Sequence, residues 1–389
     1  MVMYALPGVA AFGSLHGQAA IIDLFPRRRY GASMTDAAHQ PPLTRAGPTP
    51  IALSLGIGAA GGALFSLLEV PLAWMLGPMI FNIAASVRGL PVLIPHGVRV
   101  AVLCVIGVFL GGSFTPELLT RAGDWLLSLS LMLVFVPLIT LAASQYFRRA
   151  AGFDRATAVY SGAPGTLTAM VIIGGEAGAD ERMIALTQGL RVVVVVILMP
   201  MVVTAVLAAA PHAASVLPVG GPFAWDEAAW LVGAAGCGYA VARLFRLPAA
   251  AMTGAMIAST ALYLGGVVSY RPPDALMWLA LWILGSAIGS RFSTVTAATF
   301  WRVSRHAVAA TALIIAVSAL FALFASWLTD TRYLTALLSF TPGGVAEMCL
   351  IAIAFDVDPA FVAVHHLTRI AILITAAPIA TRFLFPKQG

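Results

Sequence analysis

The chain has 389 residues, 60% of them hydrophobic and only 10% charged, with a mean hydropathy of +0.94. A soluble globular protein of this length has no use for so much apolar surface, and the long apolar runs are unlike the short alternating strands of a membrane barrel. The formal net charge of +6 comes from 21 arginines and Lys387, which sit mostly in short loops and form neither a basic face nor a recognisable DNA-binding motif, so no nucleic-acid partner is expected.

In chain order, residues 1–50 differ from the rest. The stretch FPRRRYGASMTDAAHQPPLTRAGPTP is rich in proline, arginine and alanine and has no periodicity, so it reads as a disordered cytoplasmic tail. Pro7, His16 and Asp23 argue against a spanning helix before it, and Met34 is an alternative start. Apolar spans then follow near 51–69, 72–87, 97–114, 125–147 and 183–208, with an interrupted segment at 156–179. After a linker at 209–227 come spans near 228–242, 249–264, 274–290, 306–328 and 360–385, with an interrupted segment at 335–356. Cys104, Cys237 and Cys349 are dispersed in apolar segments and read as small hydrophobes.

The second set repeats the first. At a spacing of 178, SGAPGTLTAM (161–170) falls on SFTPGGVAEM (339–348), Arg191 on Arg369 and Pro200 on Pro378. GVFLGGSF (107–114) falls on GSAIGSRF (285–292). With a one-residue gap PLAWMLGPMI (71–80) falls on PAAAMTGAMI (248–257). Several anchors on one offset define a tandem duplication, 51–208 and 228–386.

Arginine positions choose the topology. If each interrupted segment dips in and returns, the halves are inverted and only Arg121, Arg271 and Arg332 lie outside. If each crosses, Arg121, Arg182, Arg243, Arg246, Arg291, Arg302 and Arg305 do. The inverted arrangement, with a cytoplasmic N-terminus and an external 209–227 linker, fits the positive-inside rule. The expected fold is an all-α polytopic membrane protein: two inverted repeats of about five spans, each with one re-entrant Pro-Gly hairpin.

A proline removes a backbone donor, and a broken helix at depth is tolerated only inside protein or beside a water-filled cavity. The hairpin tips, Pro164–Gly165 and Pro342–Gly343, are therefore candidate substrate-binding elements of the kind that secondary transporters build from broken helices. Arg191 and Arg369 lie near mid-membrane, where a charge is costly, with Gln188 and with His365 and His366 three or four residues before them. Glu347 is the acid of the second hairpin. Thr166 and Thr168, with Ser161, Ser339 and Thr341, supply hydroxyls, and Asn82 an amide. The alternative role for these groups is buried ion pairs that hold helices together, or side chains that snorkel to the surface. Adjacent His365 and His366 diverge on a helix, so no metal site is expected, and no GxxxxGK[ST] loop is present. The solute these residues suit is small and anionic, the coupling ion a proton or sodium, and the lipid bilayer the immediate partner. No cofactor is expected, and a homodimer is compatible with the pattern.

The paired PLAWMLGPMI/LPAAAMTGAMI and GAPGTLTAM/TPGGVAEM segments, followed by QGLR/HHLTR, resemble the AbrB family of bacterial inner-membrane proteins over 51–386. The resemblance implies a multi-pass inner-membrane protein with two inherited labels, regulator of AidB expression and ammonia monooxygenase. It brings no site residues. No ligand cluster for an oxygen-activating metal accompanies the second label, so a non-enzymatic role is expected. The first label fits an indirect effect on gene expression.

Overall fold

In a computed structural model, residues 48–384 are described except 117, 119–121, 210–224, 270–271 and 294–296. The expected tail up to residue 47, most of the expected linker, Arg121 and Arg271 lie outside the described residues. Among those described there are fourteen α-helices and no strand. The first seven are α1 (Pro48–Leu67), α2 (Ala73–Val87), α3 (His96–Gly111), α4 (Trp125–Arg149), α5 (Arg155–Gly162), α6 (Leu167–Glu176) and α7 (Glu181–Ala209). The second seven are α8 (Trp225–Leu244), α9 (Ala250–Leu264), α10 (Asp274–Gly289), α11 (Ala297–Thr329), α12 (Tyr333–Phe340), α13 (Val345–Ala354) and α14 (Pro359–Leu384). Six segments, built on α1, α4, α7, α10, α11 and α14, are long and apolar enough to cross a membrane. The protein is an all-α polytopic membrane protein.

The order of elements recurs at the spacing seen in the sequence, and so does the backbone. Six non-glycine residues and four glycines have positive φ, and each has a counterpart 177 or 178 positions away. The pairs are Glu69 with Arg246, Leu72 with Ala249, Gly89 with Gly266, Gly152 with Asp330, and Gly178 with Asp356. A left-handed conformation costs an L-residue roughly 1–2 kcal/mol, so five coincidences of this kind reflect a shared chain path.

Packing between the halves is reciprocal. Gly107 of α3 lies against the Met252 carbonyl of α9, and Gly285 of α10 lies against the Met75 carbonyl of α2. A Cβ at either position would strike backbone, which explains why both are glycine. The equivalent long helices α4 and α11 run antiparallel: Phe135 meets Phe321 at 5.0 Å and Tyr146 meets His306 at 6.4 Å. Between the halves, Met75, Met79, Met132, Phe135, Met170, Phe340 and Met348 belong to one continuous core. Leu133, Leu320 and Trp327 are more than half exposed on the outside, an apolar surface that suits lipid.

The interrupted segments are helix–break–helix units. Asp154 starts α5 by accepting the Thr157 N–H at 2.9 Å. The helix ends at Ala163, which is extended (φ −63°, ψ 127°) because Pro164 clashes with a helical predecessor. In the second unit Thr341 (φ −72°, ψ 122°) does the same before Pro342. Thr166 restarts the chain as α6, its hydroxyl accepting the Ala169 N–H at 3.4 Å, whereas Gly344 starts α13 without a side-chain cap.

Candidate functional site

The two breaks are held from behind by the helices that follow them, α7 and α14, with one set of contacts used twice. Gln188 Nε2 donates to the carbonyls of Tyr160 and Ala163, both at 2.8 Å, and Arg191 Nη1 donates to Ala163 at 3.2 Å. In the second half His366 Nε2 bonds the Leu338 carbonyl at 3.0 Å. Arg369 donates to Thr341 at 3.4 Å and to Gly343 at 2.9 Å. Gln188–Tyr160, Arg191–Ala163, His366–Leu338 and Arg369–Thr341 all span 28 residues. Each arginine thus meets carbonyls freed at the C-terminal end of a half-helix, where a cation is favoured.

Both arginines are buried, Arg191 at 4% exposure and Arg369 at 2%, and neither has a carboxylate partner among the described residues. They are close enough to feel each other's charge. Around them lie six buried polar atoms without a protein partner: Ser161 Oγ, Gln188 Oε1, Arg191 Nε, Thr341 Oγ1, His366 Nδ1 and Arg369 Nε. Left dry, each costs ~1–3 kcal/mol. Six such costs rival the whole stability of an ordinary domain, roughly 5–15 kcal/mol. Such a region accommodates water or a polar anion.

The breaks also cross over to the opposite half. A Cβ on Gly343 would come within 3.1 Å of Val195 on α7, and the Tyr160 hydroxyl bonds Thr381 on α14. Gly165 and Gly343 are equivalent in a further respect, each lying under a methionine, Met170 and Met348. Pro164 and Pro342 are buried beside them.

Not every sequence candidate joins this group. Thr168 is exposed. Asn82 accepts from Ser54 Oγ at 2.8 Å and donates to the carbonyls of Ser54 and Pro78, which ties α1 to α2 and satisfies the amide away from the breaks. Its role here is packing, as is that of its counterpart Ser259 beneath Gly111. His365 turns aside: Nδ1 meets the Phe361 carbonyl at 2.8 Å and Nε2 meets Ser128 at 2.9 Å, so both ring nitrogens are engaged. His366 alone of the pair faces a break. Ser339 donates to Thr335 within its own helix, unlike Ser161.

Glu347 is 7% exposed, in the first turn of α13 and folded against Gly344. Its charged neighbour is Arg291, not Arg191 or Arg369, and Arg291 is in turn beside Arg99. Sequence reasoning treated Arg291 only as a loop charge and gave Arg99, at the start of the 97–114 span, no role. The usable signal is that Arg291 is the one charged residue of GSAIGSRF while its counterpart, Ser113, is neutral.

The family model described as "Transition state regulatory protein AbrB" matches residues 74–385. The chain belongs to the AbrB family. Two relatives of similar length resemble this AbrB protein along most of their chains. The Bacillus subtilis (strain 168) protein "Uncharacterized protein YhjN" is 26% identical over 86% of this chain and 93% of its own. The Escherichia coli (strain K12) protein "Putative regulator AbrB" is 26% identical over 86% of this chain and 94% of its own. No solved structure is significantly similar.

Proposed function

We propose that this AbrB-family protein is an ion-coupled secondary transporter of a small anionic solute, with its site where the two breaks meet α7 and α14. The observation that carries the reading is the pair of buried arginines without carboxylate partners, surrounded by six unpartnered polar atoms drawn from both halves. A monocarboxylate or similar anion would accept from the free guanidinium edges and lie at the open N-terminal ends of α6 and α13.

We read the halves as inverted repeats, with α5–α6 and α12–α13 as re-entrant hairpins from opposite faces of the bacterial inner membrane and the N-terminus in the cytoplasm. Reciprocal packing of Gly107 and Gly285 and the antiparallel run of α4 against α11 support that reading. Glu347 is the group assigned to the coupling ion, with Arg291 as its electrostatic partner and His366 as the second candidate for a proton.

The test is a thermal-shift screen of the purified protein against organic acids, amino acids and amines, followed by flux of any hit into liposomes. Arg369→Gln should express normally yet lose uptake. Uptake at the wild-type rate by that variant would remove the anion site. For topology, single cysteines at Ala150 and Asp330, in a chain lacking Cys104, Cys237 and Cys349, should label from opposite sides. Labelling from one side would end the inverted reading.

A second reading follows from the name of the Escherichia coli relative: a membrane regulator that influences gene expression indirectly. A stable soluble partner, together with no flux of any stabilising ligand, would favour it. We assign no enzymatic activity, and stoichiometric copper or iron in the purified protein would overturn that.

A further inference from the structure

We propose a phosphate-binding pocket at the end of the bundle where α4 finishes and α11 begins, taking an anionic phospholipid headgroup or free phosphate. At 33 residues α11 is ~50 Å long, at ~1.5 Å per residue, against a hydrocarbon core of ~30 Å. A substantial part of it must project, and composition selects the end. Residues 307–329 contain no charge, whereas Trp301, Arg302, Arg305 and His306 crowd the opening turns. Trp301 is 69% exposed, in the position a headgroup-level tryptophan takes.

At that depth lies a cavity of about 290 Å³, with Arg302, Arg305 and His306 on one side and Ala151, Phe153 and Met183 on the other. Arg305 Nε donates to His306 Nε2 at 3.2 Å, which leaves the neutral imidazole's proton on Nδ1 as a donor. Neither guanidinium has an ion-pair partner among the described residues. Three acids lie within three residues of this wall, and each is engaged elsewhere: Glu181 lies against Gly175. Asp154 caps α5 at Thr157, and Asp180 accepts the N–H groups of Arg182 and Met183. Arg148 and Arg149, both exposed at the end of α4, add to the positive field. Two guanidinium forks and an imidazole N–H around an apolar floor match the tetrahedral oxygens of a phosphate, and basic pockets between membrane helices bind such headgroups.

The pocket is one-sided. Counting back 178 positions from Arg302, Arg305 and His306 reaches Asp124, Leu127 and Ser128, which have no basic side chain. It therefore lies outside the duplicated machinery and does not depend on the transport reading.

Unfolding midpoints of the full chain in neutral detergent decide the matter, with phosphatidylglycerol, phosphatidylcholine or inorganic phosphate added. Phosphatidylglycerol should raise the midpoint by about 3 °C or more and phosphatidylcholine should not. A rise with phosphatidylglycerol alone assigns a lipid headgroup, and an equal rise with inorganic phosphate assigns the free anion. The double variant R302Q/R305Q, altered at two exposed side chains, should fold and lose the rise. R243Q/R382Q, with the same change in net charge elsewhere, should keep it. The proposal is overturned if neither probe raises the midpoint, if R302Q/R305Q responds like the wild type, or if R243Q/R382Q loses the response equally.

Discussion

The two breaks use the same backbone path and yet differ in how tightly they are held. At the first, Gly165 and Thr166 are half-buried, a threonine caps the restarting helix, and position 169 is alanine. At the second, Thr341, Pro342 and Gly343 are buried, the cap is a glycine, and the position matching Ala169 is Glu347. The first break carries its own cap and is closed by a neutral glutamine together with Arg191. The second depends on two arginine hydrogen bonds and a histidine, and keeps an acid in its first turn. One chain path thus supports one break with its own side-chain cap and one without.

The widest difference should appear at the arginines. Arg369→Ala exposes two buried carbonyls, those of Thr341 and Gly343, at ~1–3 kcal/mol each, so a loss of roughly 2–6 kcal/mol is expected in chemical denaturation. Arg191→Ala should cost about half as much, because Gln188 still serves the Ala163 carbonyl. Equal losses would mean that the breaks are held alike. Next come the tip glycines. In Gly343→Ala the new methyl group meets Met348 Sδ at 2.6 Å and Val195 at 3.1 Å in a closed environment. In Gly165→Ala it meets Met170 at 2.7 Å or more beside a half-open one. Overpacking costs ~1–3 kcal/mol, and Gly343→Ala should lie at the upper end with Gly165→Ala near the lower, read as unfolding midpoints.

A smaller effect, near ~1 kcal/mol, is expected for Thr166→Ala, which deletes the only side-chain cap at the two restarts. Glu347→Gln should leave stability almost unchanged while abolishing accumulation against a gradient and sparing solute exchange; undiminished accumulation would remove Glu347 from coupling. Asn82→Ala sharpens the boundary of the site. It should lower the unfolding midpoint through the lost Ser54 contact but leave any ligand-induced shift intact. A lost ligand response would return Asn82 to the site.

Much of this molecule is legible in its sequence. Apolar run length alone locates every helix to within a few residues, except that α11 begins at Ala297, well before the expected 306, because an arginine-bearing segment stays helical beyond the apolar run. Pro-Gly at equivalent places marks both breaks, and a three-residue separation puts Gln188 with Arg191 and His366 with Arg369 on one helix face. These features are local: they follow from helical period, from proline's missing donor and from the aversion of hydrocarbon for charge. Tertiary packing alone decided that Asn82 joins α1 to α2, that His366 and not His365 turns to a break, and that Arg291 comes to Glu347. Each of those depends on which helix lies alongside, and helices of similar apolar composition carry no label in sequence for their neighbours. Contacts between residues some two hundred positions apart are set by the fit of whole helix surfaces.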